Sequence, residues 1–338
     1  MSPDDDKIDE GIGMRGAASR WLLAASMIGA AGLAGLAARA DDYPVRPIRV
    51  IVGFGPGSGA DITARVVGTR VSQILGQQIV VENKTGAGSN LAAEYVAKAS
   101  KDGYTLLMAT ISQPINAAVS PNLNFDFAKD FAPIVLVSTT PNLLVVNPSL
   151  GVKSVQELIA LAKAKPDSLS FGSSGVATGT HLAAELFKVL TGVQMVHVPY
   201  AGSAQALTDL LAGRIQLLFT PASTVIQYVH DGRLVALAAT EAKRAAIAPE
   251  VPTMGEAGLA GFDTGLWFGL LAPAGTPPAA INKVAAAVNE ALKSDEVANA
   301  LRPQGIDLLG GTPDQFAGYI AQEMKRWDTV ARAAGLKK

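Results

Sequence analysis

From residue 48 onward, short apolar runs alternate with stretches of helical spacing. Residues 48–54 (IRVIVGF) are almost continuously apolar, which predicts a strand covered on both faces. A glycine-rich turn follows at 55–59. Over 61–75, Ile62, Val66, Val67, Val71, Ile74 and Leu75 share one helical face, and Gly76 stands where a helix-ending glycine belongs. Residues 78–82 (QIVVE) read as the next strand. A strand–turn–helix–strand unit of about 35 residues is the building block of a parallel sheet with right-handed crossovers.

The alternation runs on to the C-terminus. Helices are predicted at 87–99, 155–163 (capped by Ser154), 180–190, 203–212 (ending at Gly213), 225–230, 277–293, 294–302 and 313–334. Strands are predicted at 104–109, 131–137, 143–146, 169–171, 194–198, 215–219, 234–239 and 266–272. The fold class is therefore α/β, with helices covering the sheet faces. Two extended, proline-containing runs interrupt the rhythm, at 139–148 (TTPNLLVVNP) and 261–274 (GFDTGLWFGLLAPA). They read as two passages between two lobes, one of them discontinuous. Adjacent crossover strands make a hinge over a cleft, a preferred place for a ligand.

Composition narrows the chemistry. Charged residues are 17% of the 338, against roughly 25% in an average soluble chain, and apolar residues are 49%, enough for a large core. The net charge of −1 shows no basic stripe for nucleic acid. There is no cysteine, which removes disulfides, thiolate metal sites and cysteine nucleophiles. With three histidines (His181, His197, His230) and no HExxH, neither a metal nor another cofactor is expected.

The first forty residues belong to targeting, not to the fold. Arg15 and Arg20 precede an uncharged Ala/Leu/Gly-rich run at 21–38, and Ala38-Arg39-Ala40 supplies a small-residue cleavage motif. Residues 14–40 are read as a secretory signal peptide cut before Asp41, which predicts a periplasmic protein. The acidic stretch 1–13 does not suit a signal peptide and is set aside as a leader. The remaining chain is formally neutral and carries no second run of membrane-spanning length.

Eight segments then carry a resemblance. They are Tyr43-Pro44 with Arg46-Pro47-Ile48; 52–57 (VGFGPG) with Asp61 and Ala64-Arg65; 81–84 (VENK) with 86–88 (GAG); 102–106 (DGYTL); 171–175 (FGSSG) with His181-Leu182; 197–200 (HVPY); 251–253 (VPT); and 273–277 (PAGTP). In this order, over the whole chain beyond the leader, they resemble the solute receptors of tripartite tricarboxylate transporters, the Bug or TctC family. The resemblance implies a two-lobed type II periplasmic binding protein fold, with lobe one at 41–140 plus 266–338 and lobe two at 141–265. It implies capture of a small organic acid, a mono- or dicarboxylate and in some members an aromatic acid. Delivery to membrane permease subunits follows. No catalysis is expected, and a monomer is.

Receptors of this family lack a dominant arginine clamp and resemble a backbone trap, and this chain has the parts for one. Phe54, Gly55, Pro56, Gly57 and Ser58 lead from a buried strand into a helix, whose first N–H groups and positive dipole end suit an anion. The run 171–181 (FGSSGVATGTH) repeats the device, with Ser173, Ser174, Thr178, Gly179, Thr180 and His181. Tyr200, Ala201 and Gly202 form a third strand-to-helix turn, and Ser112 and Thr220 lie in loops (111–116 and 220–224) expected to set the choice of acid. Three positions depart from the family's habit: Ala201 replaces a lysine, Ala177 a glycine and Thr220 an acidic residue. Without that acid there is no partner for an ammonium, so a plain carboxylic acid is expected over an amino acid.

Other readings compete. Residues 55–60 (GPGSGA) satisfy a loose nucleotide fingerprint, with Glu82 placed as a ribose-binding acid, as in an NAD(P)-linked enzyme. Asp61 in the first helical turn argues against it by repelling a pyrophosphate. No G-x-S-x-G elbow frames Ser58 or Ser174 as a nucleophile. A sensory receptor presenting its ligand to a kinase would share the same cleft. Asp61 and Arg65 are read as an intrahelical pair, His181 as a helix-start residue bonded to backbone, and Trp267 and Phe268 as hinge packing, with Phe54 or Trp267 available to wall an aromatic ligand.

Overall fold

The first sheet is built in the order β11 (Asp307–Leu308), β4 (Phe131–Thr140), β10 (Leu266–Pro273), β3 (Thr105–Thr110), β1 (Ile48–Val52), β2 (Ile79–Asn83), and the second in the order β7 (Val196–Pro199), β6 (Ser170–Ser173), β8 (Leu217–Pro221), β5 (Asn142–Val146), β9 (Val235–Ala239). These are seen in a computed structural model, which describes residues 43–120, 122–176, 178–200 and 202–336. The leader, the signal peptide and its cleavage motif lie outside them, as do Ala177 and Ala201. The chain from Arg46 on forms one compact unit.

In the first sheet, β1 (Ile48–Val52) pairs in parallel with β2 (Ile79–Asn83) and with β3 (Thr105–Thr110). Helix α1 (Gly59–Leu75) crosses between β1 and β2. Ser58 caps its start, and Gly76 ends it at φ 66°, as its position predicts. Helix α2 (Asn90–Ala97) leads to β3, and α3 (Ser112–Val119) follows it. Residues 111–116, expected as a loop, enter this helix instead, and Pro114 sits in its first turn, where its missing N–H has no partner to lose.

Strand β4 (Phe131–Thr140) ends at Pro141, and β5 (Asn142–Val146) begins the second sheet. That sheet continues through α4 (Val155–Ala164), β6 (Ser170–Ser173), α5 (Gly179–Thr191), β7 (Val196–Pro199), α6 (Ser203–Leu211), β8 (Leu217–Pro221), α7 (Ala222–His230) and β9 (Val235–Ala239). The chain returns to the first sheet as β10 (Leu266–Pro273), followed by α8 (Pro278–Ala291), α9 (Asp295–Leu301), the short β11 (Asp307–Leu308) and α10 (Pro313–Ala333).

A wholly parallel sheet is not what forms. β10 runs antiparallel to β3 and β4, and β5 antiparallel to β8 and β9. The reason is connectivity. A strand that enters from the other sheet arrives at the opposite end from one delivered by a local helical crossover. The passages are laced together: Asn142 Nδ2 donates to Thr264 O (3.1 Å), Thr264 N to Thr240 O (3.1 Å), and Thr139 Oγ1 to Leu266 O (3.0 Å). Helix α10 packs on α3 and β4 of the first sheet and on α5 of the second. Its buried Glu323 accepts from the indole N–H groups of Trp267 (2.9 Å) and Trp327 (3.1 Å). Arg326 beside it donates to Asp263 O (2.7 Å), tying α10 to the second passage.

Candidate functional site

A cleft of about 290 Å³ lies where the two sheets' helix-start turns meet. Its walls come from the ends of elements. Phe54, Ser58, Gly59 and Ala60 follow β1; Thr110 ends β3, with Ile111 and Ser112 after it; Leu266 and Phe268 stand on β10. From the second sheet come Ser174, Thr178, Gly179 and Thr180 after β6, Ser203 at the start of α6, and Pro221 at the end of β8. Among the described residues, no charged side chain lines it.

The first turn is braced from within. Asp61 Oδ2 accepts the Gly57 N–H at 2.9 Å, and Asp61 Oδ1 accepts from Arg65 Nε (3.0 Å) and Asn83 Nδ2 (2.8 Å). Burial works against the charge, yet Arg65, the Gly57 N–H and Asn83 together hold the Asp61 carboxyl below the usual range. Asn83 Nδ2 also donates to Phe54 O (2.9 Å), anchoring the turn to the end of β2. The Ser58 hydroxyl oxygen is engaged by the Asp61 N–H (3.3 Å). Gly55, Pro56 and Gly57, expected to meet a ligand, do not line the cleft; they shape the approach to Gly59 and Ala60, whose N–H groups open α1.

The second turn is a hydroxyl network. Thr180 Oγ1 accepts the Ser174 N–H (3.0 Å) and lies 3.0 Å from Ser174 Oγ and 3.1 Å from Thr178 Oγ1. Thr178 Oγ1 donates to Gly175 O (2.7 Å). Directed this way, Thr180 donates to Thr178 and Ser174 to Thr180, so a carboxylate gains the Ser174 or Thr180 proton by replacing one of these internal bonds.

Of the residues expected at the site, Phe54, Ser58, Ser112, Ser174, Thr178, Gly179 and Thr180 are brought together. Others stand elsewhere. Ser173 and His181 are buried behind the second turn, where the His181 ring stacks on His197 with centroids 3.9 Å apart. The Tyr200 hydroxyl donates to Asp209 Oδ2 (2.8 Å), with the phenol pushed up to about 12 by burial and by that carboxylate. Gly202 caps α6 without lining the cleft, and Thr220 is buried with its hydroxyl shut off from solvent. Ala201 lies outside the described residues. Glu82, the expected ribose-binding acid, is gripped by Arg49 at 2.6 and 2.7 Å instead.

The sequence reading missed Gly59, Ala60, Thr110, Ser203, Leu266 and Phe268 as wall residues. The signal was present for one of them. In a strand neighbours face opposite ways, so with Trp267 buried under α10 against Glu323 and Phe316, Phe268 must look the other way, into the cleft. Among the described residues, no group of three or more histidine and carboxylate side chains is arranged to hold a metal ion.

Comparison with known proteins agrees with this architecture. Residues 63–336 match the model of the tripartite tricarboxylate transporter family receptor. BugT of Bordetella pertussis is 39% identical over 308 residues, covering 90% of this chain and 94% of BugT. Among solved structures, Rpa4515 of R. palustris with adipate is 37% identical (TM-score 0.75; 87% of this chain and 98% of that one). MatC of Rhodopseudomonas palustris with bound malate is 32% identical (TM-score 0.73; 85% and 99%).

Two α/β lobes around an uncharged, hydroxyl-lined cleft make a solute-binding receptor, not an enzyme. The chain belongs to the tripartite tricarboxylate transporter receptor family, the Bug proteins, and with it to the extracytoplasmic receptors.

Proposed function

We propose that this protein captures a small non-amino carboxylic acid with an apolar body, of the adipate type, in the cleft and delivers it to membrane permease subunits. The observation that carries the reading is the division of the cleft. Hydroxyls and helix-start N–H groups stand at Ser58–Ala60 and at Ser174–Thr180, whereas Phe54, Ile111, Leu266 and Phe268 supply an apolar wall. Two polar turns suit two carboxylate ends, and the wall suits the methylenes or ring between them. Among the described residues, no lining carboxylate is present to pair with an ammonium. The adipate-bound and malate-bound relatives support the class.

In this reading the lobes at 41–140 plus 266–338 and at 141–265 close as a monomer about the two passages, each turn supplying half of the grip. The segment 14–40 serves as the export signal, with release before Asp41.

A thermal-shift panel on protein stripped of bound acid tests this. At 100 times its dissociation constant, a true ligand stabilises by about 2.7 kcal/mol. Adipate or a relative of similar length is expected to shift the melting temperature, malate less, and aspartate and glutamate not at all. Tight binding of either amino acid would overturn the assignment.

A further inference from the structure

Behind the second turn lies a chain of contacts that the cleft itself does not use. Ser173 Oγ donates to Gly175 O (3.0 Å) and accepts the Gly175 N–H (3.2 Å), and it lies 2.6 Å from His197 Nε2. With the one hydroxyl proton given to the Gly175 carbonyl, the imidazole is the Nε2–H tautomer and donates the short bond; this direction is part of the proposal below. The same Gly175 carbonyl accepts from Thr178 Oγ1 (2.7 Å), and Thr178 leads through Thr180 to Ser174. The half-buried His197 is thus joined to the cleft hydroxyls by an unbroken run of hydrogen bonds. His197 is held in turn by stacking, on His181 at 3.9 Å and on Phe171 at 4.9 Å.

We propose that His197 is a positioning residue for ligand capture: its Nε2–H fixes Ser173, and through Ser173 the Gly175 turn that presents Ser174, Thr178 and Thr180 to the cleft. The role rests on the cleft being the capture site. It also couples capture to acidity. Burial pushes both imidazoles down to about 4, with His181 and Lys188 adding to the shift of His197 and Lys188 to that of His181. Among the described residues, the charged groups beside the pair are Glu185, 3.7 Å from His181 Nε2, and Lys188, which Glu185 binds at 2.9 Å; from β6, Phe171 stacks on the pair and Ser173 bonds to it. A proton added to His197 goes to Nδ1 and puts a positive charge into the stack against His181, so the ring shifts and carries with it the Ser173 hydroxyl that its Nε2–H holds. Among the described residues, the cleft lining has no titratable group of its own in this range.

The test uses the full chain beyond the leader. In amide NMR spectra recorded without ligand, the Ser174 and Gly175 amides are expected to move in one step with the same midpoint as the His197 ring, near pH 4. Turn amides that stay flat through the His197 titration would overturn the proposal. Calorimetry with adipate at pH 7 gives an independent reading. His197→Phe keeps the stack and loses the donor, and is expected to bind about tenfold more weakly, the worth of one buried hydrogen bond. His197→Gln restores a donor and is expected to stay within about twofold of wild type. Equal affinities for the two variants would overturn the role even if both melt alike. Should wild type bind no adipate, the choice of acid fails, and the amide titration alone decides the positioning role.

Discussion

Asp61 Oδ2 accepts the N–H of Gly57 at 2.9 Å, so a carboxylate of the chain itself sits at the start of α1. An anion site at a helix N-terminus is usually described as empty of negative charge. Here the charge is retained and neutralised from behind by Arg65 and Asn83. Asp61 belongs to the frame, and Gly59 and Ala60 are left facing the cleft.

Asp61→Ala is therefore expected to destabilise the fold by about 2 kcal/mol, since several charge-assisted hydrogen bonds are lost from a buried site. The pH dependence has a fixed sign. The folded carboxyl titrates below its unfolded value, so its contribution is fully present above about pH 4. It fades as the pH falls through the lower folded value. Thermal unfolding from pH 3 to 8 should show the wild-type and Asp61→Ala curves converging at the acid end.

Gly57 has φ +81°, and a Cβ built there meets nothing within 4 Å. The obstacle to a side chain is the backbone conformation and not lack of room. Gly57→Ala is expected to cost about 1 kcal/mol, and Gly57→Asn less, because asparagine tolerates the left-handed region. Paired melting curves check the order. Blocked main-chain approach would instead leave stability intact and weaken binding alone.

Phe268 carries the apolar wall on β10, and its ring end lies 3.0 Å from where a Cβ on Gly59 would stand. Phe268→Ala is expected to weaken adipate binding several-fold, by about 1 kcal/mol, through lost apolar burial. Malate, with a shorter and more polar body, should lose less. The ratio of the two affinities, measured by calorimetry, is the readout.

Glu241 stands just beyond β9 at the passage between lobes, with Oε1 closed off from solvent and without a hydrogen-bond partner. Burial, with Asp263 and Asp307 adding to it, pushes its carboxyl up to about 9, with the neighbouring Thr139 side chain acting in the opposite direction. The folded state thus holds a proton that the unfolded state releases above about pH 4.5. Stability falls as the pH rises from there to about 9. Glu241→Gln should flatten that slope and raise stability at pH 8 by about 1–2 kcal/mol. A chemical denaturation series from pH 5 to 9 on both proteins would show it.

Local signals were enough for most of the elements. Apolar runs marked strands such as β1 and β3, Ser154 and Gly76 marked helix ends, and the proline-containing runs marked the two passages, because each depends on neighbours within a few residues. The glycine and hydroxyl turns at 54–58 and 173–181 were visible for the same reason, as composition set between a strand and a helix. Which of their groups reach the cleft was not. Ser58 and Ser174 face it, whereas Gly57 turns its N–H to Asp61 and His181 stacks on His197. Those outcomes depend on Asn83, Ser173 and β7, partners made adjacent only when the sheets assemble. The antiparallel entry of β10 and the placing of Phe268 rather than Trp267 in the cleft were likewise decided by tertiary packing. α10 claims one face of β10 for its buried Glu323, which leaves the other to the ligand.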